Sequence, residues 1–372
     1  MNDHLIKEHF ICGIVGLGLI GGSIAKAMKK FHPECYLLAC DINQDALAAA
    51  ASEGIIDEVF NEIGPDFSKC DYLFLCAPIS ENDKYLSLIQ KYISPACILT
   101  DAGSVKSDIH RHIRQTGLEK QFIGGHPMAG SERTGYLNSK ALLLENAYYI
   151  LTPCHGVSEK KLSEFRELIS SLGAIPLILT STQHDYVTAA VSHLPHVIAA
   201  SLVNLIRDSD SEDGIMKMIA AGGFKDITRI ASSSPVMWQQ ICMTNGENIL
   251  TLLDAYMNAL TKVREQIASS DARLLYAFFD QARNYRDSFM DTSSGPIKKN
   301  YTVNIEIADE PGALASIATI LALHQISIKN IGITHNREQE DGVLKVEFYQ
   351  ESGIEKAIQV LSAKGYIVHR RN

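Results

Sequence analysis

Gly16-Leu-Gly-Leu-Ile-Gly-Gly-Ser23 is the stretch that decides the fold of the first part of this chain. It directly follows an apolar run with strand character, Ile11–Val15, and opens a helical pattern that extends to Phe31. The first glycine permits a tight turn, the second lets a pyrophosphate approach the backbone, and the third allows close packing of helix on sheet. The phosphates would bind at the positive N-terminal end of the helix. The stretch predicts an α/β Rossmann-type dinucleotide-binding domain with six loop contacts: Gly16, Leu17, Gly18, Leu19, Ile20 and Gly21.

The second predicted strand, Tyr36–Cys40, ends in Asp41, which lies twenty residues beyond Gly21. An acidic side chain at this position accepts hydrogen bonds from the adenosine ribose hydroxyls and repels the additional phosphate of NADP. We therefore expect NAD as the cofactor. The third predicted strand ends in three residues that would lie on the same edge of the sheet, where ligands bind in open α/β sheets. We expect them to contact the cofactor, and an ordinary turn at the end of the strand is the alternative. These residues are Cys76, Ala77 and Pro78.

The order of predicted elements indicates three domains. Short β-branched runs alternate with amphipathic helical patterns at first, which is typical of a parallel sheet covered by helices. From about Thr182 the apolar spacing becomes helical throughout, and a polar stretch then precedes a strand, helix, strand, strand, helix, strand pattern. We expect a dinucleotide-binding domain over residues 1–180, an all-α substrate and dimerisation domain over 181–292, a linker over 293–300 and a small α+β domain over 301–372.

The composition of the 372 residues excludes several classes of protein. A formal net charge of -9 without a block of Lys or Arg argues against nucleic acid as a partner. The eight cysteines form no CxxC pair and lie mostly in apolar runs, as expected of reduced thiols in a cytoplasmic protein. Phe10–Ala25 is apolar, but acidic residues precede it and glycines interrupt it, which argues against a signal peptide. No other stretch approaches the ~20 apolar residues of a membrane-spanning helix, so no membrane partner is expected.

Polar side chains follow two later predicted strands, where catalytic groups are normally displayed. Asp101–Lys106 ends one strand and Gly124–Glu132 ends the next, with His126 between a glycine pair and a proline. Oxidation of an alcohol by hydride transfer requires a group that takes the hydroxyl proton, and a neutral imidazole does so well at neutral pH. We predict that His126 is this base, with a structural histidine as the alternative.

The helical region supplies a second polar group. Ser192–His196 contains two histidines three residues apart, and Arg229 lies within an otherwise apolar helical pattern. A buried arginine is costly without an anionic partner, and a substrate carboxylate would supply one. An internal salt bridge, for example with Asp226, is the alternative. No metal site is expected, because no Asp, Glu or Cys lies near the histidines at ligand spacing.

Together these motifs resemble the prephenate dehydrogenase family over nearly the whole chain, in the order and approximate spacing of that family. The likeness rests on six segments: Gly16–Ser23, Asp101–Lys106, Gly124–Glu132, Ser192–His196, Gly222–Ala231 and Pro235–Trp238. The resemblance implies oxidative decarboxylation of prephenate to 4-hydroxyphenylpyruvate with reduction of NAD. It implies that His126 takes the proton of the ring hydroxyl and that Ser104 holds this hydroxyl and orients the histidine. It further implies that Arg229 binds a substrate carboxylate and that Ser192 and His196 make contacts on the nicotinamide and substrate side. Glu132 is implied to be an acid that gates the pocket.

The C-terminal residues resemble an ACT domain, a ferredoxin-like βαββαβ module that binds small ligands and commonly pairs with a copy of itself. Asp309–Leu314, at the first strand-to-helix turn, and Ile326–Asn330 carry this likeness. The resemblance implies feedback inhibition by tyrosine, whereas a purely structural dimerisation tail is the alternative. The implied effector contacts are Asp309, Gly312, Ala313, Leu314, Asn330 and Ile331.

Several functions stay open at this point. Arogenate dehydrogenase shares the motifs, whereas the His126 and Arg229 motifs argue against other β-hydroxyacid dehydrogenases. A non-catalytic sensor of NAD and an amino acid would have no need to keep Ser104 with these two residues. A homodimer is expected, because a long apolar helical domain would expose too much surface in an isolated chain.

Overall fold

The computed structural model describes residues 6–78, 81–131, 133–291, 301–307, 312–335, 342–348 and 350–370. The chain divides into two compact units, Met1–Asp271 and Ala272–Asn372. The domain boundaries expected from the sequence stay a prediction. All eight cysteines are free thiols, and six of them are buried.

Five parallel strands form the first sheet, in the order β3-β2-β1-β4-β5. The strands are β1 Ile11–Val15, β2 Tyr36–Cys40, β3 Glu58–Phe60, β4 Tyr72–Leu75 and β5 Ile98–Asp101. The helices of this part are α1 Leu19–Phe31, α2 Gln44–Ser52, α3 Asn82–Tyr92 and α4 Ser107–Thr116. Alternate residues of each central strand enter separate cores on the two faces: Leu37 and Ala39 pack on one side, Leu38 and Cys40 on the other. This double burial explains the nearly continuous apolar runs of the strands.

A second sheet has three strands in the order β6-β7-β8. They are β6 Ile123–Pro127, β7 Tyr148–Pro153 and β8 Ile175–Ile178, with α5 Glu159–Ser171 between the last two. A single parallel bridge from Leu99 to Phe122 places the start of β6 beside β5. However, β6 and β7 are antiparallel, so the expected parallel sheet ends with the first five strands. The described residues between β6 and β7 form short 3₁₀ turns and contain no crossover helix of the kind that joins parallel strands.

Helices follow from residue 181 onward, as the sequence predicted. They are α6 Ser181–Thr188, α7 Leu194–Ser209, α8 Ile215–Ile219, α9 Gly222–Thr228, α10 Pro235–Thr244 and α11 Gly246–Ala268. A π-helical segment, Ala189–His193, joins α6 to α7 and ends two residues before Pro195. Proline has no N–H, and its ring crowds the carbonyl four residues earlier, so a wider turn at this point accommodates it.

The continuous helical run Ser181–Ser209 bears on the expectation that no stretch of the chain spans a membrane. Within the described residues it is the one helix that is long and apolar enough to cross a membrane: it has 29 residues, and an 18-residue window within it has a mean hydropathy of 1.5. This criterion considers length and composition alone. The run also carries Asp185 and His193, both of which are buried within the protein.

The second unit begins with α12 Ala272–Asp291 and ends in a βαββαβ arrangement. Its elements are β9 Tyr301–Ile307, α13 Ala313–Leu323, β10 Ile328–His335, β11 Gly342–Phe348, α14 Glu351–Ser362 and β12 Val368–Arg370. The strands form an antiparallel sheet in the order β10-β11-β9-β12. Val303, Ile305 and Val346 on the sheet pack against Ile317 and Leu361 on the two helices. This topology confirms the ferredoxin-like fold that the sequence predicted.

Candidate active site

The glycine-rich loop after β1 has the geometry that a dinucleotide requires. Gly16 has a φ of +94°, and a Cβ there would lie 2.6 Å from the carbonyl carbon of Cys76. A Cβ at Gly21 would collide with the carbonyl oxygen of Gly16, whereas a Cβ at Gly18 would have no neighbour within 4 Å among the described residues. Packing within the protein therefore explains why the first and third of these positions are glycines. The second, Gly18, faces open space. Among the described residues, no side chain caps the N-terminus of α1, so its first N–H groups are available to an anion.

Asp41 is held beside this loop at the end of β2. One carboxylate oxygen accepts a hydrogen bond from the N–H of Leu17, and the other accepts one from the N–H of Asn43 at 2.7 Å. Each oxygen has a second lone pair, which could accept from a ribose hydroxyl. The side chain of Leu17 is buried in the core, whereas Leu19 and Ile20 are half-buried.

Cys76, Ala77 and Pro78 lie where the sequence placed them, after β4 and against the loop. The N–H of Cys76 donates to the carbonyl of Val15 at 2.6 Å, and the backbone of Ala77 abuts Gly16. Cys76 and Ala77 are half-buried and Pro78 is exposed. These residues therefore form one edge of the sheet together with the loop.

A buried ion pair connects the end of β5 to β6. The ammonium of Lys106 donates to the carboxylate of Asp101 and, at 2.8 Å, to the carbonyl of Gly125. Asp101 also accepts a hydrogen bond from the N–H of Gly125 at 3.1 Å. Burial lowers the pKa of Lys106, and the negative charge of Asp101 opposes this shift. Because His126 is the next residue along β6, the ion pair fixes the backbone that carries it.

His126 belongs to a chain of hydrogen bonds that the sequence analysis missed. Its Nδ1 lies 2.8 Å from Nε2 of His184, and Nδ1 of His184 lies 2.8 Å from the carboxylate of Asp185. Asp185 also accepts hydrogen bonds from the N–H groups of Lys106 and Ser107, each at 2.7 Å. His184 and Asp185 are neighbours on α6, and no spacing in the sequence connects them with β6. A His-Asp pair in the first helix after β8 was the one available signal.

The pKa values of these three residues are all lowered. Burial alone would raise the pKa of the Asp185 carboxyl, but hydrogen bonds from His184, Ser107 and Lys106 outweigh it and lower that pKa below its usual value. Burial lowers the pKa of His184, and the bond to Asp185 opposes this shift. The pKa of His126 lies well below its usual value because of burial, with the proximity of His184 and Lys106 adding to the effect. Both imidazoles are therefore neutral, and the carboxylate is ionised, at neutral pH.

A second histidine pair lies on the π segment and the first turn of α7. His196 donates from Nδ1 to the carbonyl of Ser192 at 2.9 Å, and its ring stacks on Trp238 with the centroids 3.7 Å apart. The amide nitrogen of Asn245 lies 3.1 Å from Nδ1 of His193 and donates to the backbone carbonyl of Asp185 at 2.8 Å. Burial lowers the pKa of His193 to about 4. Asn245 therefore links this pair to the chain of hydrogen bonds that includes His126.

The structure corrects the expected setting of Arg229. This residue is exposed and begins a 3₁₀ turn, Arg229–Ser232, after α9, so the expectation of a buried arginine within a helix was wrong. The apolar residues around it include Ile227, which is 62% exposed in the single chain. Burial lowers the pKa of His196, and the positive charge of Arg229 adds to this shift. Arg229 therefore lies close enough to the second histidine pair to act on it.

Of the remaining predicted site residues, one is described by the structure and one is not. Ser104 is half-buried between β5 and α4, and in the described part of the chain no hydrogen bond joins it to His126. Glu132 lies outside the described residues.

The predicted effector residues lie in the second unit. Gly312 precedes α13 with a φ of +95°, a conformation that favours glycine. Exposed surface is found at Gly312, Leu314, Asn330 and Ile331, whereas Ala313 is half-buried and Asp309 lies outside the described residues. Asn330 accepts a hydrogen bond from the N–H of Ile331 at 2.9 Å through its side chain.

Comparisons with known proteins agree with this geometry. The family model described as "Prephenate dehydrogenase, nucleotide-binding domain" matches residues 24–177, and "Prephenate dehydrogenase, dimerization domain" matches residues 180–281. The chain is 36% identical over 353 residues to prephenate dehydrogenase of Bacillus subtilis (strain 168), covering 94% of this chain and 95% of that protein.

Two solved structures are each similar to about three quarters of the chain. Prephenate dehydrogenase from Aquifex aeolicus, in complex with hydroxyphenyl propionate and NAD+, is 30% identical with a TM-score of 0.72, covering 75% of this chain and 98% of that one. Arogenate dehydrogenase from Synechocystis is 28% identical with a TM-score of 0.66, covering 75% of this chain and 99% of that one.

Proposed function

The chain belongs to the prephenate dehydrogenase family, and we propose that it oxidises prephenate with NAD+ to 4-hydroxyphenylpyruvate, carbon dioxide and NADH. The observation that carries this proposal is the setting of His126. Its imidazole is neutral, and Nδ1 is occupied by His184. It lies near the end of β6, which begins parallel to β5 and so ends on the same side of the sheet as the glycine-rich loop.

NAD+ fits the edge of the sheet formed by the loop, Asp41 and Cys76–Pro78. The uncapped N-terminus of α1 would receive the pyrophosphate, and open space at Gly18 lets it approach the backbone. Asp41 would accept hydrogen bonds from the adenosine ribose. When bound, NAD+ supplies the acceptor for the hydride that leaves the ring carbon of the substrate.

His126 would take the proton of the ring hydroxyl through Nε2, with Ser104 helping to hold that hydroxyl. Loss of this proton leaves a developing alkoxide, which becomes a ketone as the hydride leaves the same carbon. The ketone is conjugated to the carbon that bears the carboxylate, so carbon dioxide departs and its bonding electrons enter the ring. The oxygen then recovers the proton from His126 and becomes a phenol. Because aromatisation makes the reaction strongly downhill, the protein has to supply positioning and proton transfer.

The remaining contacts are assigned to the carboxylate side of the substrate. We assign a substrate carboxylate to Arg229, which the structure exposes close to His196. An exposed guanidinium is well suited to a bidentate contact with a carboxylate. Ser192 and His196 would contact the nicotinamide and the substrate, and Glu132 would gate the pocket.

Arogenate is the alternative substrate, because the similarity to the Synechocystis arogenate dehydrogenase is almost as extensive as that to the Aquifex enzyme. The deciding experiment follows NADH absorbance with the purified chain, NAD+ and either prephenate or arogenate. We expect a higher kcat/KM with prephenate. A higher kcat/KM with arogenate would make arogenate the substrate in place of prephenate. Formation of no NADH with either compound would overturn the proposed activity.

We further propose that the βαββαβ unit is an ACT-type regulatory domain and that tyrosine inhibits through it. The proposal is supported by the ferredoxin-like topology and by the exposed turn at Gly312, whose following helix can receive an amino-acid carboxylate. Isothermal titration with tyrosine, phenylalanine and tryptophan tests it. Heat with tyrosine supports the proposal, whereas no heat with any of them favours a structural tail.

A homodimer would cover the apolar surface of the helical region. Met218, Ile219 and Met243 are 71–81% exposed in the single chain. They lie in the residues that match the family's dimerization domain. A second copy of the chain is the partner that we propose for this surface, and sedimentation at several concentrations measures the association.

A further inference from the structure

We propose that His184 and Asp185 are positioning residues that fix the tautomer of His126 and so leave its Nε2 as the base. This inference rests on the proposed function of His126 and assigns a task to two residues that no motif identifies.

Asp185 can act only as an acceptor. It receives hydrogen bonds from the N–H groups of Lys106 and Ser107 at the start of α4, in addition to the one from His184. These bonds lower the pKa of the carboxyl, and an ionised carboxylate has no proton to donate. The N-terminus of α4 has no side-chain cap of its own, so Asp185 also benefits from the positive end of that helix. Nδ1 of His184 must therefore carry a proton.

The next two hydrogen bonds follow from this assignment. The pKa of His184 is lowered by burial, so the ring is neutral and its second nitrogen, Nε2, has only a lone pair to offer. The partner at 2.8 Å, Nδ1 of His126, must then be the donor. Because His126 is neutral as well, its Nε2 has no proton and can accept one from a substrate hydroxyl.

The surroundings hold this arrangement rigidly. His184 and Asp185 are 0% and 1% exposed. The hydroxyl of Thr188 donates to the carbonyl of His184 at 2.9 Å, and Asn245 donates to the carbonyl of Asp185 at 2.8 Å. Two rings at 61° to one another, with centroids 5.0 Å apart, leave little freedom for His126 to turn over. The preferred tautomer is therefore built into the fold before substrate binds.

The groups that face His126 come from four elements. Lys106 at the start of α4 and His193 on the π segment disfavour its protonation, as does His184 on α6. The carboxylates of Asp101 on β5 and Asp185 favour protonation of His184. When His126 takes a proton, the carboxylate of Asp185 lies one imidazole away, so the new charge is partly offset across His184.

Two substitutions at His184 separate positioning from general damage. In His184→Gln the amide oxygen can take the place of Nε2 and still accept from His126. In His184→Asn the shorter amide takes the place of Nδ1, which keeps a donor for Asp185 and removes the acceptor for His126. We expect His184→Asn to lower kcat about 10- to 100-fold, which is less than the 100- to 10,000-fold typical of losing a general base. KM and the Kd for NAD+ should stay nearly unchanged, and His184→Gln should recover most of kcat.

His32→Gln is the matched control, because His32 is a partly buried histidine that bonds to Ser171 outside the site. It should leave kcat unchanged. Equal losses of kcat in His184→Asn and His184→Gln would overturn the positioning role. So would an increase in KM without a change in kcat.

Nitrogen-15 NMR of the histidines tests the tautomer without any turnover. The signals of His126 are identified by their absence in His126→Ala. In the wild-type chain we expect a protonated Nδ1 and an unprotonated Nε2, and His184→Asn should give a mixture of tautomers. A wild-type His126 protonated on Nε2 would overturn the inference even if every variant folds poorly. If the wild-type chain reduces NAD+ with neither prephenate nor arogenate, the proposed function fails, and the NMR result still decides the tautomer.

Discussion

Lys106 and Asp101 form a fully buried ion pair at the end of β5, with side-chain exposures of 0% and 4%. The same lysine holds the carbonyl of Gly125 with its ammonium and the carboxylate of Asp185 with its backbone N–H. One residue thus connects the strand that carries His126 with the helix that carries His184.

Loss of this lysine should destabilise the protein strongly. Lys106→Met keeps most of the volume but leaves the Asp101 carboxylate buried without its cation, and breaking such a pair typically costs about 3–5 kcal/mol. The free energy of unfolding by urea measures the loss. Lys69→Met is the matched control, since Lys69 pairs with Asp66 on the surface, where an ion pair contributes little to stability. The double variant Asp101→Asn with Lys106→Met should recover part of the stability. Equal decreases in the free energy of unfolding for Lys106→Met and Lys69→Met would contradict a stabilising role of the buried ion pair.

Removal of the proposed base should reduce turnover far more than binding. His126→Ala is expected to lower kcat about 100- to 10,000-fold, the range expected for a general base. Initial rates of NADH formation at saturating NAD+ and prephenate measure it, and His32→Gln again serves as the control. A loss of kcat of no more than about threefold, far smaller than that range, would show that His126 is not the base.

The acidic limb of the pH profile should lie below the usual range of histidine. The pKa of His126 is lowered mainly by burial, so the imidazole stays unprotonated as the pH falls through 6.5, the ordinary value for histidine. Activity should therefore persist below that pH and be lost only as His126 gains its proton at a lower pH. The profile of log kcat/KM against pH reports the free enzyme. A limb at or above the ordinary histidine value would show that the free enzyme is less desolvated at His126 than the structure indicates.

Arg229 should affect substrate affinity more than turnover. Arg229→Ala removes a charge-assisted contact to the substrate carboxylate, and such hydrogen bonds contribute about 1.5–3 kcal/mol. We expect KM for prephenate to rise about 10- to 100-fold while kcat changes little, the pattern of an interaction lost equally from ground and transition states. Arg207→Ala, at an exposed arginine that pairs with Asp208, controls for the loss of a surface charge. An unchanged KM would favour a structural role for Arg229.

Local patterns predicted the elements of the fold well. The bounds of β1 and β2 are those expected from their apolar runs, and the βαββαβ order of the second unit followed from alternating patterns. β3 was missed because it has three residues, Glu58–Phe60, and one of them is charged. The reversal between β6 and β7 was also missed, because strand direction depends on the path of the connection and not on strand composition.

The relative positions of the candidate site residues were predictable where a motif is continuous in the chain and not where they depend on distant contacts. The loop from Gly16 to Gly21 and the acid at Asp41 have fixed spacing, because one βαβ unit builds both. The contact of His126 with His184 spans 58 residues and two secondary structures, so no spacing rule reports it. Arg229 was expected to be buried because its neighbours are apolar, but the single chain leaves that apolar surface uncovered.

The glycine-rich loop allows cofactor binding and folding to be tested separately. Gly18 has no neighbour within 4 Å of a Cβ among the described residues, so Gly18→Ala should fold normally and place its methyl group where a pyrophosphate would approach. The Kd for NAD+, measured by isothermal titration, should rise at least 10-fold, which corresponds to about 1.4 kcal/mol.

Gly16→Ala is the contrasting variant. Its positive φ and the backbone of Cys76 and Ala77 leave no room for a Cβ. Strain of this kind costs on the order of 1–3 kcal/mol, so the midpoint of urea unfolding should fall for Gly16→Ala and stay unchanged for Gly18→Ala. If Gly18→Ala instead binds NAD+ as tightly as the wild type, the pyrophosphate does not approach the backbone at this position. The dinucleotide would then have to bind elsewhere along the sheet edge, and the role assigned to the second glycine would be wrong.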